Sequence, residues 1–227
     1  MIDLVIDNLT FGGRGLGRHE GKAVFVPDVI PGEKVRCRIT KDHKRHSEAE
    51  LIEILEASPE RIKPLCPVAS ECGGCQWQHL PYDLQLQWKS KLFRESISRA
   101  LAVDDLNFQP IVASPSPWEY RCRARIKCRV TESGFEFGFY RAGTHDVVDI
   151  AHCPLLAPVL NRLLSILKPL FADFPLAHRI PQIDLSSGDN GHAAIRLVAR
   201  RMGPELPQSD ACGGQSEHRY NSRQSES

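Results

Sequence analysis

The chain has 227 residues and carries 29 Lys and Arg against 28 Asp and Glu, a formal net charge of +1. That length suits one large domain or two small ones. The near-zero charge excludes a global field drawing the chain to nucleic acid or membrane, so attraction of that kind has to come from local patches.

Asp3 and Asp7 near the start, with no basic stretch ahead of an apolar run, argue against an ordinary secretory signal. The most apolar stretch, 155–171, is interrupted by Pro158, Asn161, Arg162 and Lys168 and is too short to span a bilayer. A soluble, cytoplasmic protein with no membrane partner is expected. In a reducing compartment its eight cysteines are read as metal ligands, core residues or redox groups, not disulfides.

Residues 1–58 read as short strands at Leu4–Leu9, Ala23–Val29, Lys34–Thr40 and within Ala49–Leu55, as in a small β-barrel. Turns are expected over 11–17, 19–21 and 31–32. The glycines at 12, 13, 15 and 17 do not match a dinucleotide-binding loop, because a strand pattern follows them instead of a helix. Lys34, Arg36 and Arg38 alternate with Val35, Cys37 and Ile39, and Lys41, Lys44 and Arg45 follow. This is a basic strand face suited to RNA.

A cysteine-rich loop comes next, then a helix that Pro81 opens. Leu84, Trp88, Leu92, Phe93, Ile97 and Leu101 recur at helical spacing and predict a packed amphipathic helix with Trp88 in the core. Strands are expected to resume at Ile111. A hairpin is expected from Arg121–Val130 and Phe135–Tyr140, then a buried helix over 155–167 and a strand over 193–199. From Gly203 the composition turns polar, with few apolar residues, and a disordered tail over 203–227 is expected.

Cys66, Cys72 and Cys75 form C-x5-C-x2-C with Gly73 and Gly74 in the tighter turn, and Cys153 repeats the Cys-Pro pair of Cys66-Pro67. Three local thiolates and one remote one complete either a [4Fe–4S] cluster or a tetrahedral zinc site, and the spacing does not choose between them. The C-x3-C-x2-C pattern of radical enzymes is not matched. Cys37, Cys122 and Cys128 occupy apolar positions of alternating strands, where a thiol acts as a small hydrophobe. Arg121, Arg123, Arg125, Lys127 and Arg129 fill every second position of one strand, opposite Cys122, Ala124, Ile126, Cys128 and Val130. A row of cations with no acid among them fits a phosphate backbone better than a merely solvated face.

Several segments together resemble one family. Gly15-Leu16-Gly17, Phe25-Val26-Pro27, Pro31-Gly32-Glu33 and Ser58-Pro59 look like a TRAM domain. Cys66-Pro67 through Cys72-Gly73-Gly74-Cys75-Gln76, Tyr120-Arg121 through Arg125, Gly138-Phe139-Tyr140-Arg141 and His152-Cys153-Pro154 are similar to the cluster loop and central domain of the 23S rRNA (uracil-5-)-methyltransferases. The resemblance implies a [4Fe–4S] cluster on Cys66, Cys72, Cys75 and Cys153 and 23S ribosomal RNA as partner. It also implies an α+β fold with an OB-like barrel over 1–58, and a cluster loop and mixed α/β central domain over 59–202. It fades near Arg201, and no cofactor motif follows residue 190. The expectation is therefore a chain that lacks the family's Rossmann-like catalytic domain, binds no S-adenosylmethionine itself, and is completed by a separate catalytic chain or left truncated by a frameshift.

Overall fold

The computed structural model describes residues 1–102, 106–132, 134–189 and 191–200. The expected tail over 203–227, with Cys212, lies outside them.

Five strands form a closed barrel: β1 (Ile2–Leu9), β2 (Gly15–His19), β3 (Lys22–Val26), β4 (Lys34–Asp42) and β5 (His46–Glu56), in the order β1-β2-β3-β5-β4. Alternation puts Leu4, Ile6, Val24, Val26, Val35, Cys37 and Ala49 into its core. The expected first turn is partly a strand. β2 passes so close to its neighbours that a Cβ on Gly17 would stand 2.2 Å from Leu4 Cδ1 and 2.4 Å from the Val5 carbonyl oxygen. The glycine that looks like turn punctuation is there to let the barrel close.

The helix α1 (Tyr82–Leu101) begins after Pro81 and ends on Ala102 in the left-handed region. Its first half packs against the barrel, and beyond it Phe93 meets Phe108 edge-on at 5.8 Å. Leu84 and Trp88, with Trp77, lie against Leu9, Ile30 and Leu80 below the barrel. Phe93 and Leu101 are exposed, and no residue of the helix is fully buried. The periodicity gave a correct apolar stripe, but the element facing it is short. The strand expected at Ile111 is absent among the described residues; 106–120 is irregular and largely exposed.

The second layer is a sheet in the order β10-β9-β6-β7-β8, from β6 (Arg123–Thr131), β7 (Gly134–Tyr140), β8 (Val147–Asp149), β9 (Gln182–Ser187) and β10 (Ala193–Val198). Every pairing in it is antiparallel. The central region is therefore an antiparallel sheet with a helix on one face, the chain crossing from β8 through that helix to β9 beside β6. That helix, α2 (Pro158–Ala172), buries Leu160, Leu164, Leu167 and Phe171 against Ala124, Ile126, Phe137, Ile183 and Leu185. The opposite face of β6 is left open to solvent.

Candidate metal and RNA-binding sites

Cys66, Cys72, Cys75 and Cys153 line one pocket together with Val68, Ala69, Phe139, Ile150 and Leu155. Cys153 is 78 positions beyond Cys75, and the fold brings it in through a turn ahead of α2. Asn161 on that helix fixes the turn: its Oδ1 accepts from the Cys153 amide at 3.0 Å, and its Nδ2 donates to the Cys153 and Leu156 carbonyls. On the other side, the Cys66 amide donates to buried Gln78 at 3.0 Å. The Gly73 amide donates to the Tyr140 carbonyl at 2.9 Å, and a Cβ at Gly73 would lie 3.1 Å from that carbonyl oxygen and from Ala142 Cα. Glycine here lets the loop lie flush on the end of β7.

Burial pushes the Cys72 and Cys153 thiols up, and the neighbouring sulfurs add to the effect. Amides of Gly74 at Cys72, and of Leu155 and Leu156 at Cys153, work the other way. A group of sulfurs in an apolar pocket, with backbone N–H groups aimed at them, suits thiolates neutralised by metal. Four sulfurs round one pocket are a donor set that one tetrahedral ion or a multi-iron cluster can use.

The pocket is also a junction. Trp77 Nε1 donates to the Gly13 carbonyl at 3.0 Å. Buried His79 reaches the Val29 carbonyl at 3.3 Å, and burial lowers its pKa to about 4, which keeps the ring neutral. Fully buried Glu33 in the barrel binds Arg61 through both oxygens, at 2.6 and 2.7 Å, and accepts the Ile30 amide. Burial alone would raise the Glu33 pKa. The hydrogen bonds from Arg61 and Ile30 and the Arg61 charge outweigh that and hold it below the ordinary carboxylate value. The segment carrying three cysteines is thus sewn to the barrel, and the fourth belongs to the sheet.

The other cysteines divide. Cys37 and Cys128 are buried in the two cores, with the Cys128 thiol pushed up to about 12 by burial. Cys122 is exposed, one residue ahead of the point where β6 begins, so the alternation does not reach it.

The two basic strands end in different surroundings. On β4, Arg36 is held by Asp3 at 2.8 Å and Glu53 at 3.2 Å, Arg38 by Glu50 at 2.9 Å and Lys34 by Glu56 at 3.4 Å. Lys44 and Arg45, in the β4–β5 turn, are exposed and make no ion pair among the described residues. On β6, Arg123, Arg125 and Arg129 face solvent and Lys127 is half-buried. Arg129 is paired with Glu136 and Asp146, both at 2.9 Å. Lys127 binds Gln182 and lies 5.1 Å over the Tyr140 ring. Arg123 and Arg125 have no ion pair among the described residues and line an open groove with Asp184, Ser186 and Arg196. Arg121 precedes the strand and borders the cysteine pocket instead. Arg196, 3.0 Å from Asp184, belongs to this groove. It lies on β10, and only the pairing of β10 with β9, Arg196 opposite Asp184, brings it to the groove.

Residues 2–52 match the TRAM domain model. The chain is 34% identical over 197 residues to the 23S rRNA (uracil(1939)-C(5))-methyltransferase RlmD of Pectobacterium atrosepticum, covering 86% of this chain and 43% of that protein. It is 37% identical over 230 residues to a protein named as an RNA methyltransferase in Synechocystis, covering 97% of this chain and 49% of that one. Among solved structures it resembles the Pyrococcus abyssi tRNA (uracil-54, C5)-methyltransferase in complex with S-adenosyl-L-homocysteine, with a TM-score of 0.61 and 22% identity, over 88% of this chain and 46% of that one.

The chain therefore carries a TRAM domain and is a relative of bacterial RNA methyltransferases; it spans about half the length of the curated relatives it matches. The fold-class expectation is corrected by these likenesses. The fold class, with a Rossmann-like catalytic domain counted as missing, does not stand: 88% of the chain shares the fold of a methyltransferase solved with S-adenosyl-L-homocysteine. The expected failure to bind S-adenosylmethionine and the separate catalytic chain find no support in these likenesses. The similarity does not stop at Arg201 either. A match over 97% of 227 residues leaves out only about seven, so it runs into 203–227.

Proposed function

We propose that this chain serves S-adenosylmethionine-dependent methylation of uracil C5 in RNA, with 23S ribosomal RNA as substrate, in the cytoplasm. Cys66, Cys72, Cys75 and Cys153 hold a [4Fe–4S] cluster, and the open face of β6, led by Arg123 and Arg125, lies against the RNA backbone. The observation that carries this reading is the gathering of four cysteines, one of them 78 positions from the rest, round one apolar pocket beside a TRAM barrel. Methyl transfer to a pyrimidine C5 needs a nucleophile at C6 and a flipped base. The described residues supply neither; their tasks are to grip RNA and to carry the cluster.

The cluster's part is structural, because transfer of a methyl group from a sulfonium donor moves no net electron. Cys66, Cys72, Cys75 and Cys153 would hold it as thiolates whose charge its iron would partly offset, so that the barrel-anchored loop would be tied to the sheet. Cys66, Cys72 and Cys75 come from the loop, and Asn161 holds Cys153 in place from behind.

The test is to purify the full chain without oxygen and measure its metal, its RNA affinity and its transfer of label from radioactive S-adenosylmethionine to unmodified 23S RNA. About four iron and four sulfide per chain are expected, with salt-sensitive RNA binding. Colourless protein holding one zinc would remove the cluster, and RNA binding indifferent to salt would remove the role of β6.

A further inference from the structure

We propose that the β4–β5 turn is a docking point for single-stranded RNA, where one nucleobase stacks on His43 and the flanking phosphates sit on Lys44 and Arg45. The inference rests on the RNA reading above and assigns part of the contact to four residues at one corner of the barrel.

Three rings form a short column there. The His43 and His46 rings stack with centroids 4.6 Å apart and planes 28° apart, and Phe25 meets His46 edge-on at 5.5 Å. His46 is half-buried and backed by Phe25, whereas the His43 side chain is 47% exposed, so the column ends in an aromatic face open to water. A planar base extends such a stack without regard to its identity.

The turn is held in shape before any ligand arrives. The His43 amide donates to the His46 carbonyl at 2.9 Å, and Ser47 Oγ donates to Asp42 at 2.6 Å, with Lys22 on the same carboxylate. A base that stacks here meets an ordered platform, which lowers the entropy lost on binding.

Charge then separates this corner from most of the barrel, where Arg18 alone bonds only a carbonyl, that of Gly21. Arg14, Lys22, Lys34, Arg36, Arg38 and Lys41 each reach a carboxylate. Lys44 and Arg45, between the two stacked histidines in sequence, reach none among the described residues. Paired cations have little left to offer a phosphate, and these two have all of theirs. Aromatic face and unpaired cations within four consecutive residues are the two components of single-strand recognition.

A divalent cation is the rival occupant, since His43, His46 and Glu48 bring donor atoms within 4.8 Å of one another. Glu48 is already met by Arg14 at 3.2 Å and Lys41 at 3.8 Å, and both would repel a metal ion. The surroundings favour an anion with a flat base.

The experiment uses the full cluster-loaded chain and an unstructured RNA oligonucleotide carrying 2-aminopurine. Anisotropy is followed across a salt series, and 2-aminopurine fluorescence reports stacking. Lys44→Ala with Arg45→Ala should lower the slope of log affinity against log salt by about 1.4, two contacts at about 0.7 each. His43→Ala should weaken binding about tenfold and relieve the quenching, and His43→Phe should restore both. All three variants change exposed side chains, and an unaltered thermal melt confirms that they fold.

If the parent binds RNA and the variants match it in slope and quenching, the turn is not the contact. A parent that binds no RNA removes the RNA reading and this proposal together. Stoichiometric zinc retained by the parent and lost from His43→Ala, with RNA affinity unmoved, would make the turn a metal site and overturn the proposal as well.

Discussion

The barrel and the sheet each contain a strand with cations at alternate positions, and in sequence the two look like versions of one device. In the fold they part. The cations of β4 face β1 and β5, whose outward residues include Asp3, Glu50, Glu53 and Glu56, and the row is neutralised within the barrel. The cations of β6 face β7 and β9, which offer Glu136 at one end, Gln182 in the middle and Asp184 already shared with Arg196. Arg123 and Arg125 are left over. Alternation reports which face a side chain takes; what lies across the ladder decides whether its charge is available. An acid-free run within a strand says nothing about acids on its neighbours.

The two regions are joined by the cysteine pocket, and the sharpest way to test that is to remove the ligand on the sheet side. Cys153→Ser is expected to lose the bound iron and to replace one cooperative thermal transition by two, barrel and sheet separately. Iron analysis with calorimetry would show it. A single transition at the parent's temperature would mean that the Gly73–Tyr140 hydrogen bond and the Arg141–Glu71 ion pair hold the barrel-anchored segment to the sheet without metal.

Next in size is the anchor inside the barrel. Removing one partner of a buried ion pair leaves an uncompensated charge and costs about 3–5 kcal/mol, so Glu33→Ala should lower stability by that order in urea unfolding. The pH dependence follows from the sign of its shift. Glu33 titrates below its ordinary value of 4.5 in the folded chain, so its contribution is complete above that value and disappears as pH falls through the depressed one. Glu33→Gln should flatten this acid limb of the stability curve. A limb of unchanged steepness would assign acid sensitivity to other carboxylates.

Much of this architecture is legible in the sequence, and the gaps have physical causes. The barrel strands, the hairpin of β6 and β7, and α2 all show because each has one wet and one dry face. β2 hides behind Gly15 and Gly17, which are small because Val29 and Leu4 press on them. β8 is too short to show a period, and β9 carries Gln182, Asp184 and Ser186 on its outward positions, a composition that reads as loop. The half-exposed α1 is the converse case, a stripe with little to pack against. The cysteine set is legible from Cys-Pro pairs and local spacing, but the gathering of Cys153 with the other three round one pocket needs coordinates.

The comparison of the two basic strands can be put to a direct measurement, with effects smaller than those above. Arg123→Ala with Arg125→Ala should weaken RNA binding and reduce the salt slope by about 1.4 for single-stranded RNA, since two unpaired guanidiniums are lost.

Arg36→Ala with Arg38→Ala removes as many charges from β4 and should do far less to RNA. These arginines spend their charge on Asp3, Glu53 and Glu50. Their loss should instead appear as destabilisation of about 1 kcal/mol or less, as for exposed ion pairs in general. It would also leave three carboxylates unpaired on the barrel face, which repels phosphate weakly and at long range. The signature is therefore a small drop in affinity that 0.15 M salt, with a Debye length of about 8 Å, largely erases. Equal losses of slope from the two double variants would mean that RNA displaces the carboxylates of β4, and that pairing within the barrel is a resting state which binding exchanges for phosphate.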